Sequence, residues 1–189
     1  MPIVRTTLIR GYDEAVRRRL SERLTDAVTA TLAAPAEATT VVIEEVEPAG
    51  YMRGRAAKRP GAARAIASER ALAFLAAMEK RDLGAARNHL AEGFEMVFPG
   101  KTNGTRMTAL EDLIAFSAER YRFVKKTIAA VDEAFGKDGT VVVVSGVLSG
   151  EDLGGQPFGE VRFIDRFVFE GDLIRRQEVW NDLALVLPR

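Results

Sequence analysis

The 189-residue chain contains no cysteine, which excludes disulfides, thiol nucleophiles and cysteine-based metal sites. It has one histidine, His89, too few for a histidine-rich metal centre. Its position late in a short helical segment suits the carboxyl end of a helix dipole. Neither sign of charge is in excess: lysine plus arginine and aspartate plus glutamate both number 27. A net charge of zero gives no global field favouring nucleic acid or membrane. No apolar run is long enough for a membrane span and none reads as a signal peptide, so the cytoplasm is the expected address. Glycines fall at turns, as at Gly100 and Gly154-Gly155, and none belongs to a phosphate loop of the Gly-x-x-x-x-Gly-Lys type. No metal and no cofactor is expected; the expected partner is a small-molecule substrate.

What is present divides by periodicity. Pro2 to Ile9 reads as a strand, and Asp13 can cap a helix whose apolar face is Val16, Leu20, Leu24, Ala27, Val28 and Leu32. A second strand runs from Thr39 to Val46. Residues 53–65 combine basic charge with a Pro-Gly break and read as a joint. From Ile66 the order is helix, helix, strand (Phe94 to Phe98), helix (Leu110 to Tyr121) and then extended runs from Lys126 to Phe135, Thr140 to Ser149, and Glu160 to Leu187 with a turn at Glu170-Gly171-Asp172. Helices followed by a run of strands predict an α+β fold: a β-α-β unit over 1–55, a basic linker over 56–65, and a cone of helices and curved antiparallel sheet over 66–189. A β-α-β unit of this size leaves apolar surface and sheet edges incomplete, so the chain is expected to be a homo-oligomer.

Pro2 carries the sharpest chemistry. Removal of Met1 leaves a secondary amine in a rigid ring, and in a desolvated, cationic pocket such an amine falls towards neutrality and can work as a general base. The stretch from Pro2 to Arg55, with Leu32-Ala33-Ala34-Pro35 and Thr39-Thr40-Val41-Val42-Ile43-Glu44-Glu45-Val46, resembles one subunit of the 4-oxalocrotonate tautomerase family. The resemblance implies an N-terminal proline that shuttles a proton between carbon and oxygen while arginines hold substrate carboxylates. Where it implies an arginine after the first strand this chain has Tyr12, at the head of the second strand it has Thr40, and the late aromatic is Tyr51. Arg53 and Arg55 stand two apart, project alike if the tail is extended, and are the candidate catalytic cations beside Pro2; Arg10, Tyr12 and Tyr51 are candidates for substrate binding. Arginine suits the task because its planar fork pairs with a carboxylate through two hydrogen bonds. The competing reading of residues 53–65 is a solvated linker.

The segment from Ile66 to Leu187 resembles SnoaL-like and ketosteroid isomerase-like members of the nuclear transport factor two-like superfamily, through Ala77-Met78-Glu79-Lys80-Arg81-Asp82-Leu83, Phe98-Pro99-Gly100, Phe163-Ile164-Asp165-Arg166-Phe167 and Glu178-Val179-Trp180-Asn181-Asp182. Strand alternation groups Phe163, Asp165, Phe167 and Phe169 on one face, making Asp165 an acid among aromatics. If that face lines the cone, burial raises its pKa. Asp165 either touches a ligand or pairs structurally, with Arg176 or another strand neighbour. The resemblance places Asp165 at one catalytic position of ketosteroid isomerase, but Phe74 and Phe98 stand at the other two, so classical ketosteroid isomerisation is not expected. Phe74, Phe98, Phe163 and Trp180 remain candidate binding residues, although a lone tryptophan beside a sheet is more often core or interface.

Two classes of function follow. One is a tautomerase or isomerase of a small carbonyl or enol compound based on Pro2, with the second domain binding a hydrophobic molecule. The other is a ligand-binding or assembly protein, or a cone that is itself a cyclase or hydrolase while the first domain serves oligomerisation.

Overall fold

The computed structural model describes residues 1–100, 104–137 and 139–187. The last two residues of the expected 66–189 domain therefore lie outside the described residues. The chain divides into two compact units, Met1–Ala63 and Arg64–Arg189.

In the first unit β1 (Ile3–Ile9) and β2 (Thr40–Val46) run parallel, from Ile3 opposite Thr40 to Ile9 opposite Val46. A parallel pair needs a long crossover, here α1 (Glu14–Thr31). Asp13 starts it, its carboxylate accepting the Val16 N–H at 2.8 Å, which satisfies one of the donors that a helix start leaves unmatched. Arg17 of α1 bonds Glu45 of β2 at 3.2 Å, so the helix lies on the face that carries Glu45. The other face presents Ile3, Arg5, Thr7 and Ile9 beside Thr40, Val42, Glu44 and Val46. No residue from Met1 to Ala63 is fully buried, and Ile3 is 61% exposed.

Part of the segment read as an extended tail and linker, residues 52–57, forms a hairpin. Met52–Arg53 (β3) and Ala56–Ala57 (β4) form an antiparallel hairpin around Gly54, whose φ of +65° favours glycine. Pro60 then packs on Gly11: a Cβ there would lie 2.7 Å from the proline Cγ.

In the second unit α2 (Ala67–Glu79) and α3 (Leu83–Arg87) precede β5 (Leu90–Phe98), β6 (Thr105–Met107) and α4 (Leu110–Ala118). Four long strands follow, β7 (Tyr121–Gly136), β8 (Gly139–Asp152), β9 (Pro157–Glu170) and β10 (Leu173–Asn181), then a short α5 (Leu183–Val186). They form one curved sheet in the order β6-β5-β10-β9-β8-β7. Every neighbouring pair is antiparallel except β5 with β10. The expected turn at Glu170-Gly171-Asp172 is present, with Gly171 at φ +63°.

Alternation along β9 buries Val161, Phe163, Asp165, Phe167 and Phe169. Phe74 of α2 sits edge-on to Phe94 and Phe167, with centroids 6.0 and 6.1 Å away, the arrangement that aromatic quadrupoles prefer. α2 has no capping side chain of its own at Ile66; Glu133 of β7 reaches it and accepts the Ser68 N–H at 2.7 Å. Between Ile128 and Ala130 the pairing of β7 with β8 slips by one residue, a bulge at Ala129. Opposite it lies Gly146, where a Cβ would stand 2.0 Å from the Thr127 carbonyl oxygen. A glycine in a strand interior marks such a close backbone approach.

Candidate functional site

Each unit offers a candidate site. In the first, Pro2 precedes β1 and is half-buried, its carbonyl accepting the Thr40 N–H at 3.1 Å. The ring is thus tied to the head of β2. The expected cations are placed less simply. Arg10 forms an exposed ion pair with Glu47. Arg53 and Arg55 do not project alike from an extended tail: Arg53 ends β3 opposite Ala56, and Arg55 occupies the turn, both exposed. Tyr12 is half-buried and its carbonyl accepts from Arg17 at 2.6 Å. Tyr51 is half-buried, its carbonyl taking the Lys58 N–H at 3.1 Å.

The second unit contains a partly open cavity of about 160 Å³ under α2 and α4, walled by Phe74, Met78, Phe98, Leu113, Leu148 and Val179. Its polar lining centres on Asp165, Lys126 and Gln177, with Glu79, Arg81, Ser117, Tyr121 and Asn181 around them. Asp165 is fully buried, and its Oδ2 accepts from the Lys126 ammonium at 2.5 Å. Lys126 Nζ also stands 3.9 Å from the centre of the Phe163 ring, so the cation is flanked by a carboxylate and an aromatic face. Gln177 of β10 is 5% exposed. Asp165 Oδ1 and Gln177 Oε1 are buried and have no hydrogen-bond partner among the described residues.

Burial drives the Asp165 carboxyl above the ordinary carboxylate range; the Lys126 charge, its hydrogen bond and the nearby Gln177 side chain oppose the rise without cancelling it. The phenol of Tyr121, also on the cavity wall, is pushed up by burial against weaker opposing effects of Ser117, Arg120 and Arg81. It therefore stays protonated at neutral pH, able to donate. Arg81 lies among the lining residues with φ +57°, uncommon for a residue other than glycine.

The structure thus brings Phe74, Phe98 and Asp165 to one cavity, with Phe163 beside the cation. Trp180 does not join them. Val179 turns inward and Trp180 outward, where it lies across from Ile164 with both about half exposed, so the expectation of ligand stacking by Trp180 is corrected by strand alternation. The partner of Asp165 is Lys126 rather than Arg176, which pairs with Glu95 and Glu178. Sequence reasoning missed Lys126, Gln177 and Tyr121. The expected cationic role of His89 at a helix end is also corrected: burial first, and the Arg70 charge second, lower its pKa. No group of three or more acidic or histidine side chains suited to a metal occurs among the described residues, and no helix among them is long and apolar enough to cross a membrane.

Residues 2–58 match the family model described as Tautomerase enzyme. No curated protein matches the chain. Among solved structures, an NTF2-like protein of unknown function from Burkholderia pseudomallei K96243 is 18% identical with a TM-score of 0.52, the alignment covering 62% of this chain and 91% of that one. An NTF2-like protein from Burkholderia thailandensis E264 is 17% identical with a TM-score of 0.53, covering 65% and 95%. TerC, co-crystallised with polyporic acid, is 18% identical with a TM-score of 0.52, covering 62% and 92%. At such identities the likeness establishes the NTF2-like fold and no activity.

Proposed function

We propose that this chain, a tautomerase-like unit joined to an NTF2-like cone, is an isomerase that moves a proton between carbon and oxygen of a small carbonyl or enol compound. Pro2, freed of Met1, is the general base, and the cone holds a hydrophobic small molecule that is the same or a successive intermediate. The observation that carries this reading is the tautomerase family match, which begins at Pro2 and spans the β-α-β unit. In support, the backbone of Pro2 is fixed against Thr40, and a general base acts only from a held position.

Arg53 and Arg55 serve the substrate's anionic group. They are the cationic residues nearest in sequence to Tyr51, and Arg10, the other candidate, already faces Glu47. Replacing both with Gln is expected to raise KM for a carboxylate substrate about tenfold, the weight of one charge-assisted hydrogen bond. It also moves the rising limb of the rate profile, which reports the free amine, to higher pH, because nearby positive charge disfavours the protonated amine. Unchanged kinetics together with an unchanged profile would return these residues to a structural role.

The first unit works as part of a homo-oligomer. With no fully buried residue over 63 positions, it has too little interior to stand on its own strands and helix. Light scattering at micromolar concentration should give a mass of at least two chains; a monomer contradicts the assembly.

A second reading, in which the cone is the reactive part and the first unit mainly assembles the protein, is favoured by one observation. The cavity and its buried acid lie in the cone.

A further inference from the structure

The cone's cavity contains an imbalance of hydrogen-bonding groups that specifies its occupant. Buried polar atoms in native proteins are almost always partnered, and each one left bare costs its full desolvation. Here two buried acceptors, Asp165 Oδ1 and Gln177 Oε1, meet no donor in good hydrogen-bonding geometry among the described residues, although the Gln177 side chain lies beside Asp165, while one cation, Lys126, bonds the other oxygen of the same carboxylate. An ammonium has three N–H donors, so Lys126 retains capacity for an incoming oxygen. The rest of the lining is mainly aromatic and aliphatic, with Glu79, Arg81, Ser117, Tyr121 and Asn181 also on it. Its volume of about 160 Å³ matches that of a cavity which takes up a single benzene ring, roughly 150 Å³.

We infer that this cavity is a binding site for a planar, single-ring compound bearing an enolic or phenolic hydroxyl next to a carbonyl oxygen. The hydroxyl donates to Asp165 Oδ1 or Gln177 Oε1, the carbonyl oxygen accepts from Lys126, and the ring packs between Phe74 and Phe98. A purely apolar molecule leaves both acceptors bare. A molecule with only a carbonyl satisfies Lys126 but still leaves them bare, and a carboxylate brings acceptors where donors are needed. The pairing of hydroxyl and carbonyl gives one of the two acceptors its donor and gives Lys126 its acceptor. This deepens the proposed reading of the cone as the ligand-holding half and is independent of proline chemistry: Pro2→Ala should leave the binding unchanged.

The probe is tropolone, a seven-membered aromatic ring with adjacent hydroxyl and carbonyl, kept in its protonated form by mildly acidic buffer and compared by calorimetry on the full chain with tropone, which keeps the carbonyl and lacks the hydroxyl, and with toluene. Tropolone should bind roughly tenfold or more tightly than tropone, the discrimination expected when a missing hydroxyl leaves buried acceptors unmatched. In Gln177→Met and Asp165→Asn that preference should shrink severalfold, while toluene affinity stays within about twofold and reports an intact cavity. Equal affinity for tropolone and tropone in the unmodified protein overturns the inference, and that comparison needs no variant to fold. An undiminished preference for tropolone in both variants overturns the assignment to these residues.

Discussion

Lys126→Met should destabilise the cone by about 3 kcal/mol near neutral pH, at the low end of what breaking a buried ion pair costs because the lysine is partly exposed. The reason is the residue left behind: Asp165, with no exposure at all, loses the cation it pairs with. Adding Asp165→Asn to Lys126→Met should recover most of the loss, since removing both charges removes the desolvation they required. The chain's single tryptophan, Trp180, lies in β10, so its fluorescence follows unfolding of the cone. A fall in cone melting temperature of roughly 10 °C is expected for the single variant. An unchanged midpoint, or losses that simply add in the double variant, would contradict the pairing.

The penalty should also depend on pH in a definite direction. Asp165 already titrates above the ordinary range because burial outweighs the effect of Lys126. Removing the lysine removes both of its lowering effects and leaves only the Gln177 side chain to oppose burial, so the carboxyl rises further. A group whose pKa is higher in the folded state contributes stability that is full below its unfolded value of about 3.9 and is lost as pH rises through the folded value. Lys126→Met should therefore be nearly as stable as the parent at acidic pH and fall away from it as the solution approaches neutrality. The other charged residues lining the cavity are Glu79 and Arg81, present in both proteins.

Pro2→Ala should lower kcat/KM for a phenylenolpyruvate-like enol by about a hundredfold or more, the range that a positioned general base supplies. Asp165→Asn should change the same rate only a few-fold. The comparison separates the units, because each variant leaves the other candidate group in place. Equal losses would assign the chemistry to the cone. Intact mass supplies a second check: the active chain should lack Met1, since a retained methionine acylates the proline nitrogen and abolishes its basicity. Full activity with Met1 in place excludes Pro2 as the base.

Much of this architecture was legible in the residues. Asp13 before an apolar helical stripe, and the alternation of Phe163, Asp165, Phe167 and Phe169, are local patterns, and local patterns survive into the fold. Asp165 was therefore recognisable as a buried acid. Its partner was not, because Lys126 reaches it from two strands away, across β8, and a contact between residues 39 positions apart leaves no periodic trace. Gln177 was hidden for a related reason: a register shift between Ile174 and Arg176 breaks the alternation of β10 just before it. In the first unit Arg53-Gly54-Arg55 read as an extended tail, although Gly54 supplies the positive φ of a hairpin turn. Pairing between two-residue strands is too short to announce itself in sequence. Trp180 read as a ligand contact only while its strand parity was unassigned.

The bulge at Ala129 has a consequence in simple arithmetic. Lys126 and Glu133 are seven residues apart, an odd separation, and in an unbroken strand an odd separation sends two side chains to opposite sides of the sheet. Yet Lys126 meets Asp165 inside the cavity and Glu133 meets the start of α2 on that same side. The one extra residue in β7, accommodated by the bare backbone of Gly146, makes the count even. A single inserted amino acid thus lets one strand both hold the helix that roofs the chamber and supply the charge at its floor.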